Sequence, residues 1–150
     1  MNVGVVGNPR YRDLRGLLAR LVAVAPRHGF RLSGEDKIAD QWPSAVPALN
    51  GQIDVLITIG GDGTLLRGAR LTISQEVPVL GVNIGRVGFL ATVTPDTLEA
   101  ALDAVARKDY QIELRRVLES VIQAADGSRR PAAAALNDVV IHKTGVARVI

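Results

Sequence analysis

The 150-residue chain contains no cysteine, which excludes disulfides, thiolate metal ligands and a cysteine nucleophile. Aromatic residues make up 3% of it, so alanine, valine and leucine have to fill the interior. His28 and His142 are its only histidines, too few for a histidine-rich metal site. No apolar run approaches the ~20 residues of a membrane span. The start, Met1-Asn2-Val3-Gly4-Val5-Val6, reads as a strand and lacks the charged-then-apolar order of an export signal. The expectation is a soluble, cytoplasmic protein with no membrane partner. Long basic runs are missing too. The formal net charge is +3 and the arginines are scattered, which argues against a nucleic-acid tail and suits a phosphorylated ligand. Three nucleotide and hydrolase signatures are also absent. There is no G-x-G-x-x-G, no G-x-S-x-G and no P-loop, since Ala69 stands where the P-loop lysine would follow Gly68.

What is present is enough apolar material, 47%, for one domain or one domain and a piece of another. The chain is organised around Ile53 to Arg70, I-D-V-L-I-T-I-G-G-D-G-T-L-L-R-G-A-R. Val55 to Ile59 is a short, β-branched, continuously apolar run, the pattern of a strand buried on both faces of a parallel sheet. Gly60, Gly61 and Gly63 follow, around Asp62 and before Thr64. Glycines there let the backbone approach a ligand, and their amides with the start of the next helix can form an anion site. A lone carboxylate inside such a cradle is unfavourable unless it binds a metal or handles a proton. The plainer alternative is a tight strand-to-helix turn with Asp62 as N-cap. The position favours function, because ligands of open α/β sheets bind at the carboxyl ends of strands.

The remaining segments extend this pattern. Val3 to Val6 predicts a strand ending at Gly7-Asn8-Pro9. Asp13 to His28 predicts a helix, with leucines recurring at three- and four-residue steps. Phe30 to Leu32 predicts a second strand. Ser33 to Gly51 reads as connection with at most a helical turn, Trp42 acting as a packing anchor. A helix runs from the glycine loop to about Ile73, and Pro78 to Val82 is another buried strand. Thr94-Pro95-Asp96 opens a further helix. After Tyr110 the character changes. Ile112 to Ala125 predicts a strand, Asp126-Gly127 a hairpin turn, Ala132 to Ile141 the returning strand, and Val146 to Ile150 the start of another. The expected architecture is α/β: residues 1–110 a Rossmann-like nucleotide-binding domain with a mainly parallel sheet, residues 111–150 the opening strands of an incomplete β-rich domain.

Three segments carry a resemblance. Gly60-Gly61-Asp62-Gly63-Thr64, Gly81-x-Asn83-x-Gly85-x-x-Gly88-Phe89 and Ala135-Leu136-Asn137-Asp138 fall in the order and spacing of the ATP-dependent NAD kinases of bacterial type. The first motif alone is shared with diacylglycerol, sphingosine and sugar kinases; the second and third make the resemblance specific. Val87 stands where that family usually has leucine. A later G-S-T-A-Y-like segment of the family, which lines its NAD site, has no counterpart in these residues.

The resemblance implies phosphoryl transfer from ATP, with a divalent cation such as Mg2+, to the 2′-hydroxyl of the adenosine ribose of NAD. It implies Asp62 as the base or orienter of that hydroxyl. Gly60, Gly61, Gly63 and Thr64 would face phosphates. Asn83 would shape the neighbouring loop, Phe89 would pack on adenine, and Asn137 and Asp138 would hold the nucleoside. It assigns no residue to the metal, and it implies homodimers or homotetramers in the full-length enzyme. For Asn137-Asp138 a strand-end pair, and for Phe89 a loop-closing core residue, stay open. Arg67 and Arg86 read as surface arginines unless they approach phosphates. The competing functions are a lipid or sugar kinase of the G-G-D-G type and a non-catalytic nucleotide-binding fragment.

Overall fold

The computed structural model describes residues 1–85, 88, 90–132 and 134–141. It divides into two compact units, Met1–Ile112 and Glu113–Ile150. Phe89, Arg86, His142 and the strand expected at 146–150 lie outside the described residues.

The first unit is built on four strands, β1 (Asn2–Gly7), β2 (Arg31–Gly34), β3 (Val55–Gly60) and β4 (Val79–Asn83). They form one parallel sheet in the order β2-β1-β3-β4. β3 is buried at every position because it is central and both its faces are covered. Its alternate residues divide between two apolar layers. Val55, Ile57 and Ile59 join the larger cluster with Leu14, Leu17, Leu18, Leu21, Leu98 and Leu102, while Leu56 joins Val6 and Ile53 on the other side. Each such side chain taken out of water contributes about 1.5–3 kcal/mol.

Helix α1 (Leu14–Val24) buries its leucines at one-turn spacing and runs into a 3-10 turn, Ala25–His28, stopped by Gly29 at φ 64°. Helix α2 (Asp62–Thr72) lies close on β3, since a methyl on Gly68 would fall 2.5 Å from the Thr58 methyl. Thr94 and Thr97 close a reciprocal cap around a 3-10 turn, Pro95–Thr97, that leads into α3 (Leu98–Arg107). Ile38, on a 3-10 turn at Asp36–Gln41, is fully buried and Trp42 is 8% exposed, so Trp42 is the packing anchor its surroundings suggested.

Two local expectations need correction. The glycine loop is shorter than its sequence implies: helix α2 begins at Asp62, so Gly63 and Thr64 already belong to its first turn. In the second unit, the long strands expected over 112–125 and 132–141 shrink to a hairpin of β5 (Val121–Gln123) and β6 (Arg129–Pro131), with an isolated bridge between Leu118 and Ala135. The turn itself is where Asp126-Gly127 places it. Gly127 has φ 83°, and the Ser128 amide donates to Asp126 Oδ1 at 2.9 Å. A hydrogen bond from the Ser128 side chain, together with that amide bond, holds the Asp126 carboxyl below its ordinary range. The alternation in the flanking sequence is real, but no second sheet layer covers it among the described residues, and only the pairs nearest the turn remain in register.

Candidate functional site

The strand order reverses direction between β1 and β3. The chain leaves β1 towards β2 on one side and leaves β3 towards β4 on the other. Connections departing in opposite directions open a crevice at the strands' carboxyl ends, where open α/β sheets bind ligands. A cleft of about 520 Å3 lies there. Asn8, Pro9, Arg10 and Tyr11 line it from the end of β1, Lys37 from the turn after β2, and Gly61, Gly63, Thr64 and Arg67 from the end of β3 and the start of α2.

Local hydrogen bonds fix both lips. The Asn8 amide donates to Ile59 O at 3.1 Å, joining the end of β1 to the end of β3. Asn8 Oδ1 accepts from the Arg10 amide at 3.1 Å, a side-chain turn of the kind asparagine favours. On the other lip, the Thr64 and Leu65 amides donate to Gly61 O, starting α2. Gly60 leaves room for the Thr64 side chain, whose Oγ1 is the nearest atom to any methyl placed on Gly60. Thr64 is 5% exposed; its hydroxyl packs back on the strand end while the residue forms part of the cleft wall. Gly63 is different. It is exposed, and a methyl on it would meet nothing within 4 Å. Glycine in a helix costs about 1 kcal/mol relative to alanine. No packing within the described residues requires it, which fits a space kept for a ligand.

The charges are one-sided. Among the described residues, Arg10, Lys37 and Arg67 line the cleft and no carboxylate does. Arg67 is not the surface arginine its sequence position suggested. Its Nη2 donates to Gly7 O at 2.7 Å and lies 3.0 Å from Glu35 Oε2. That ion pair lacks hydrogen-bond geometry at the carboxylate, so Arg67 ties α2 to the end of β1 while its charge is offset. Arg10 and Lys37 have no carboxylate partner among the described residues. The first amides of α2 add the positive end of a helix dipole. The cleft suits a polyanion.

Asp62 lies between the cleft-lining Gly61 and Gly63, and it is half-buried. Its carboxylate is held beside the cleft, not within it. Oδ1 accepts the Leu90 amide at 3.2 Å, and Gly88 sits so close that a methyl there would collide with the carboxylate. The second sequence segment thus touches the first through Asp62. Asn83, at the end of β4, turns its Oδ1 to the Gly85 amide at 2.9 Å, and the Ile84 amide donates to Gly60 O at 3.2 Å. Gly60, Gly61, Asp62, Gly63, Thr64, Asn83 and Gly88 are therefore one neighbourhood. Asn137 and Asp138 are exposed residues of the second unit, just beyond the Leu118–Ala135 bridge. Among the described residues no group of three or more His, Asp or Glu side chains converges as a metal cage.

Sequence reasoning passed over Arg10, Tyr11 and Lys37. The first two could have been found: in a parallel sheet the segment after the first strand shares a crevice with the segment after the strand beside it, and Gly7-Asn8-Pro9 marked that end. Lys37 carries no such signal.

Comparison with known proteins gives a consistent result. The family profile described as the ATP-NAD kinase N-terminal domain matches residues 22–110. The NAD kinase of Gemmatimonas aurantiaca is 44% identical over 151 residues, covering 100% of this chain and 52% of its own. The NAD kinase of Methanopyrus kandleri is 34% identical over 150 residues, covering 99% of this chain and 52% of its own. The crystal structure of yeast NADH kinase complexed with NADH superimposes with a TM-score of 0.77 at 19% identity, over 91% of this chain and 47% of that one; at that identity the likeness concerns the fold. The chain spans about half the length of the curated relatives it matches.

Proposed function

The chain belongs to the ATP-NAD kinase family, and from that premise we propose that it forms the donor-binding part of an enzyme that phosphorylates the 2′-hydroxyl of the adenosine ribose of NAD, giving NADP. The observation that carries the reading is the placement of Gly60-Gly61-Asp62-Gly63-Thr64 at the switch point of the sheet. A cleft lined by Arg10, Lys37 and Arg67 opens beside the α2 terminus there, and the Asp62 carboxylate, from the first residue of that helix, is held by the Leu90 amide.

The chemistry follows from that arrangement. A sugar hydroxyl is a poor nucleophile and has to be aligned with the γ-phosphorus and relieved of its proton. The triphosphate lies along Arg10, Lys37 and the first amides of α2. The 2′-oxygen attacks the γ-phosphorus, its proton passes to Asp62, and the bond to the β-phosphate oxygen breaks to release ADP. The Leu90 amide on Oδ1 orients the carboxylate for that role. A divalent cation, Mg2+, accompanies ATP. Bound with the nucleotide, it would neutralise charge on the transferring phosphoryl group.

In this reading Asn137 and Asp138 hold the NAD nucleoside by hydrogen bonds matched to base and ribose, Phe89 packs on the adenine, and residues 111–150 open a β-rich domain. The enzyme is a cytoplasmic homo-oligomer, a dimer or tetramer; among the described residues no helix is long and apolar enough to cross a membrane. The test is NADP formation from NAD and Mg-ATP by the complete protein, with diacylglycerol and fructose 6-phosphate as alternative acceptors. NADP as the product supports the reading. Phosphorylation of lipid or sugar in its place overturns it.

A further inference from the structure

We propose that Tyr11 is a donor-binding residue, its hydroxyl donating a hydrogen bond to a phosphoryl oxygen of the nucleotide triphosphate. The inference rests on the kinase reading above and adds to it a side chain from a loop that none of the three motifs contains.

Three observations meet at this residue. The first is its fixed position. The Tyr11 amide donates to Asn8 O at 3.1 Å and the Leu14 amide donates to Tyr11 O at 3.2 Å, so the backbone is pinned between the end of β1 and the start of α1. The second is the fit of the ring. A methyl on Gly85 would fall 2.7 Å from the phenolic oxygen, 3.2 Å from Cε1 and 3.3 Å from Cζ, and a methyl on Gly61 would fall 3.5 Å from the same oxygen. The end of the ring therefore lies against the backbone after β3 and the backbone after β4, and a side chain at 85 would have to displace it. The third is the state of the hydroxyl. It belongs to a residue that lines the cleft, and it makes no hydrogen bond among the described residues. A tyrosine O–H packed against protein usually finds a partner; this one, on a half-buried residue of the cleft wall, has none among the described residues and is available to a ligand.

The chemistry of the acceptor follows from the other lining groups. Arg10 and Lys37 are cationic and uncompensated among the described residues, Arg67 is offset by Glu35, and the Gly63 edge of α2 is open. A neutral nucleobase has no use for two cations. A chain of phosphates supplies several acceptor oxygens, one within reach of each donor. Tyr11 stands where the cleft adjoins the Asn83–Gly85 turn, so it addresses the end of that chain nearest the motif loops.

The experiment uses the complete protein and measures the dissociation constants of a non-hydrolysable ATP analogue and of NAD by calorimetry, with KM for ATP, kcat and Tm. Tyr11→Phe removes only the hydroxyl. It should weaken the analogue about 10-fold and raise the ATP KM similarly, as loss of a charge-assisted hydrogen bond does. NAD affinity and Tm should stay at their wild-type values. Wild-type affinity for the analogue in Tyr11→Phe overturns the proposal, and so does a loss shared equally by NAD. Gly85→Ala tests that contact: it should weaken the analogue when Tyr11 is present and add no further loss in Tyr11→Ala. Additive losses count against the proposal. If the wild type binds the analogue and yields no NADP, the kinase reading fails, and the analogue's affinity for Tyr11→Phe still decides the role of Tyr11.

Discussion

The two units place the same kind of residue in opposite surroundings. Val55–Gly60 is buried throughout, whereas Val121–Gln123 and Arg129–Pro131 are exposed throughout. Ile57 is fully buried while Leu114 and Ile141 are 92% and 93% exposed. Composition does not separate them; neighbours do. β3 has a strand on either side and an apolar layer on each face. Among the described residues β5 has one partner, and an isolated two-stranded hairpin is marginal in water. The difference extends to the site. Asp62 is held by a sheet, a helix terminus and a second loop, while Asn137 and Asp138 follow a single bridge. The first unit therefore holds its motif residues in place, and the second gives Asn137 and Asp138 no such support among the described residues.

The largest expected effect tests whether the chemistry belongs to the first unit. In the complete protein, Asp62→Asn should lower kcat by about 100- to 10,000-fold, the range for removing a positioned base, while NAD binding stays nearly unchanged. The measurement is steady-state NADP formation beside calorimetric NAD binding. A variant that kept most of its turnover would move the base elsewhere and remove the contrast between the units.

Packing comes next. Ile57→Ala should destabilise the chain by about 2–5 kcal/mol, the cost of a cavity in a covered core. Ile122→Ala, at 43% exposure, should stay within about 0.5 kcal/mol, as surface changes do. Urea unfolding of this chain measures both. A large effect at Ile122 would mean that the hairpin is covered in solution.

A smaller effect addresses the second unit directly. Asn137→Ala in the complete protein should weaken NAD about 10-fold, as loss of a hydrogen bond or two does, and leave the ATP KM unchanged. Calorimetry with NAD reads it. An effect on ATP alone would reassign the pair to the donor side.

The same contrast explains what could be read from the chain. β3, β4, α1 and the Thr94 cap announce themselves because burial on two faces, or on one helical stripe, leaves a periodic record in sequence. The glycine loop and Asp62 were legible because their composition has few other uses. The start of α2 was less legible: Gly63 and Thr64 look like loop residues, yet the strand end feeds straight into the helix. Arg67 and Lys37 were hidden for another reason. Their roles depend on which strand ends lie side by side, a property of strand order that no local pattern encodes. In the second unit, alternation over 112–125 predicted pairing that needs a covering layer, and without one among the described residues only the turn-proximal pairs form.

The smallest prediction concerns charge pairs, and it repeats the comparison in electrostatic form. Arg20 and Glu99 lie 79 positions apart and join α1 to the start of α3. Arg20 Nε donates to Oε1 at 2.7 Å, and its Nη2 also reaches Pro95 O. Arg115 and Glu113 of the second unit form a pair between near neighbours in sequence, with side chains 42% and 74% exposed. Closing a long loop and making extra hydrogen bonds gives the first pair something to stabilise; the second holds nothing together. The hydrogen bond from Arg20 keeps the Glu99 carboxyl below its ordinary range. A carboxyl depressed in the folded state stabilises above its unfolded titration range, and that contribution is lost as pH falls through its folded range. With side chains 39% and 44% exposed, water screens the pair, and Glu99→Gln should cost under about 1 kcal/mol at pH 7. The gap to wild type should close in acid, where Glu99 is itself neutral, and narrow in high salt. Glu113→Gln should show no gap at any pH. Urea midpoints for both variants across this pH range decide it: a Glu99→Gln gap that persists in acid would assign the effect to packing around Pro95 and not to the ion pair.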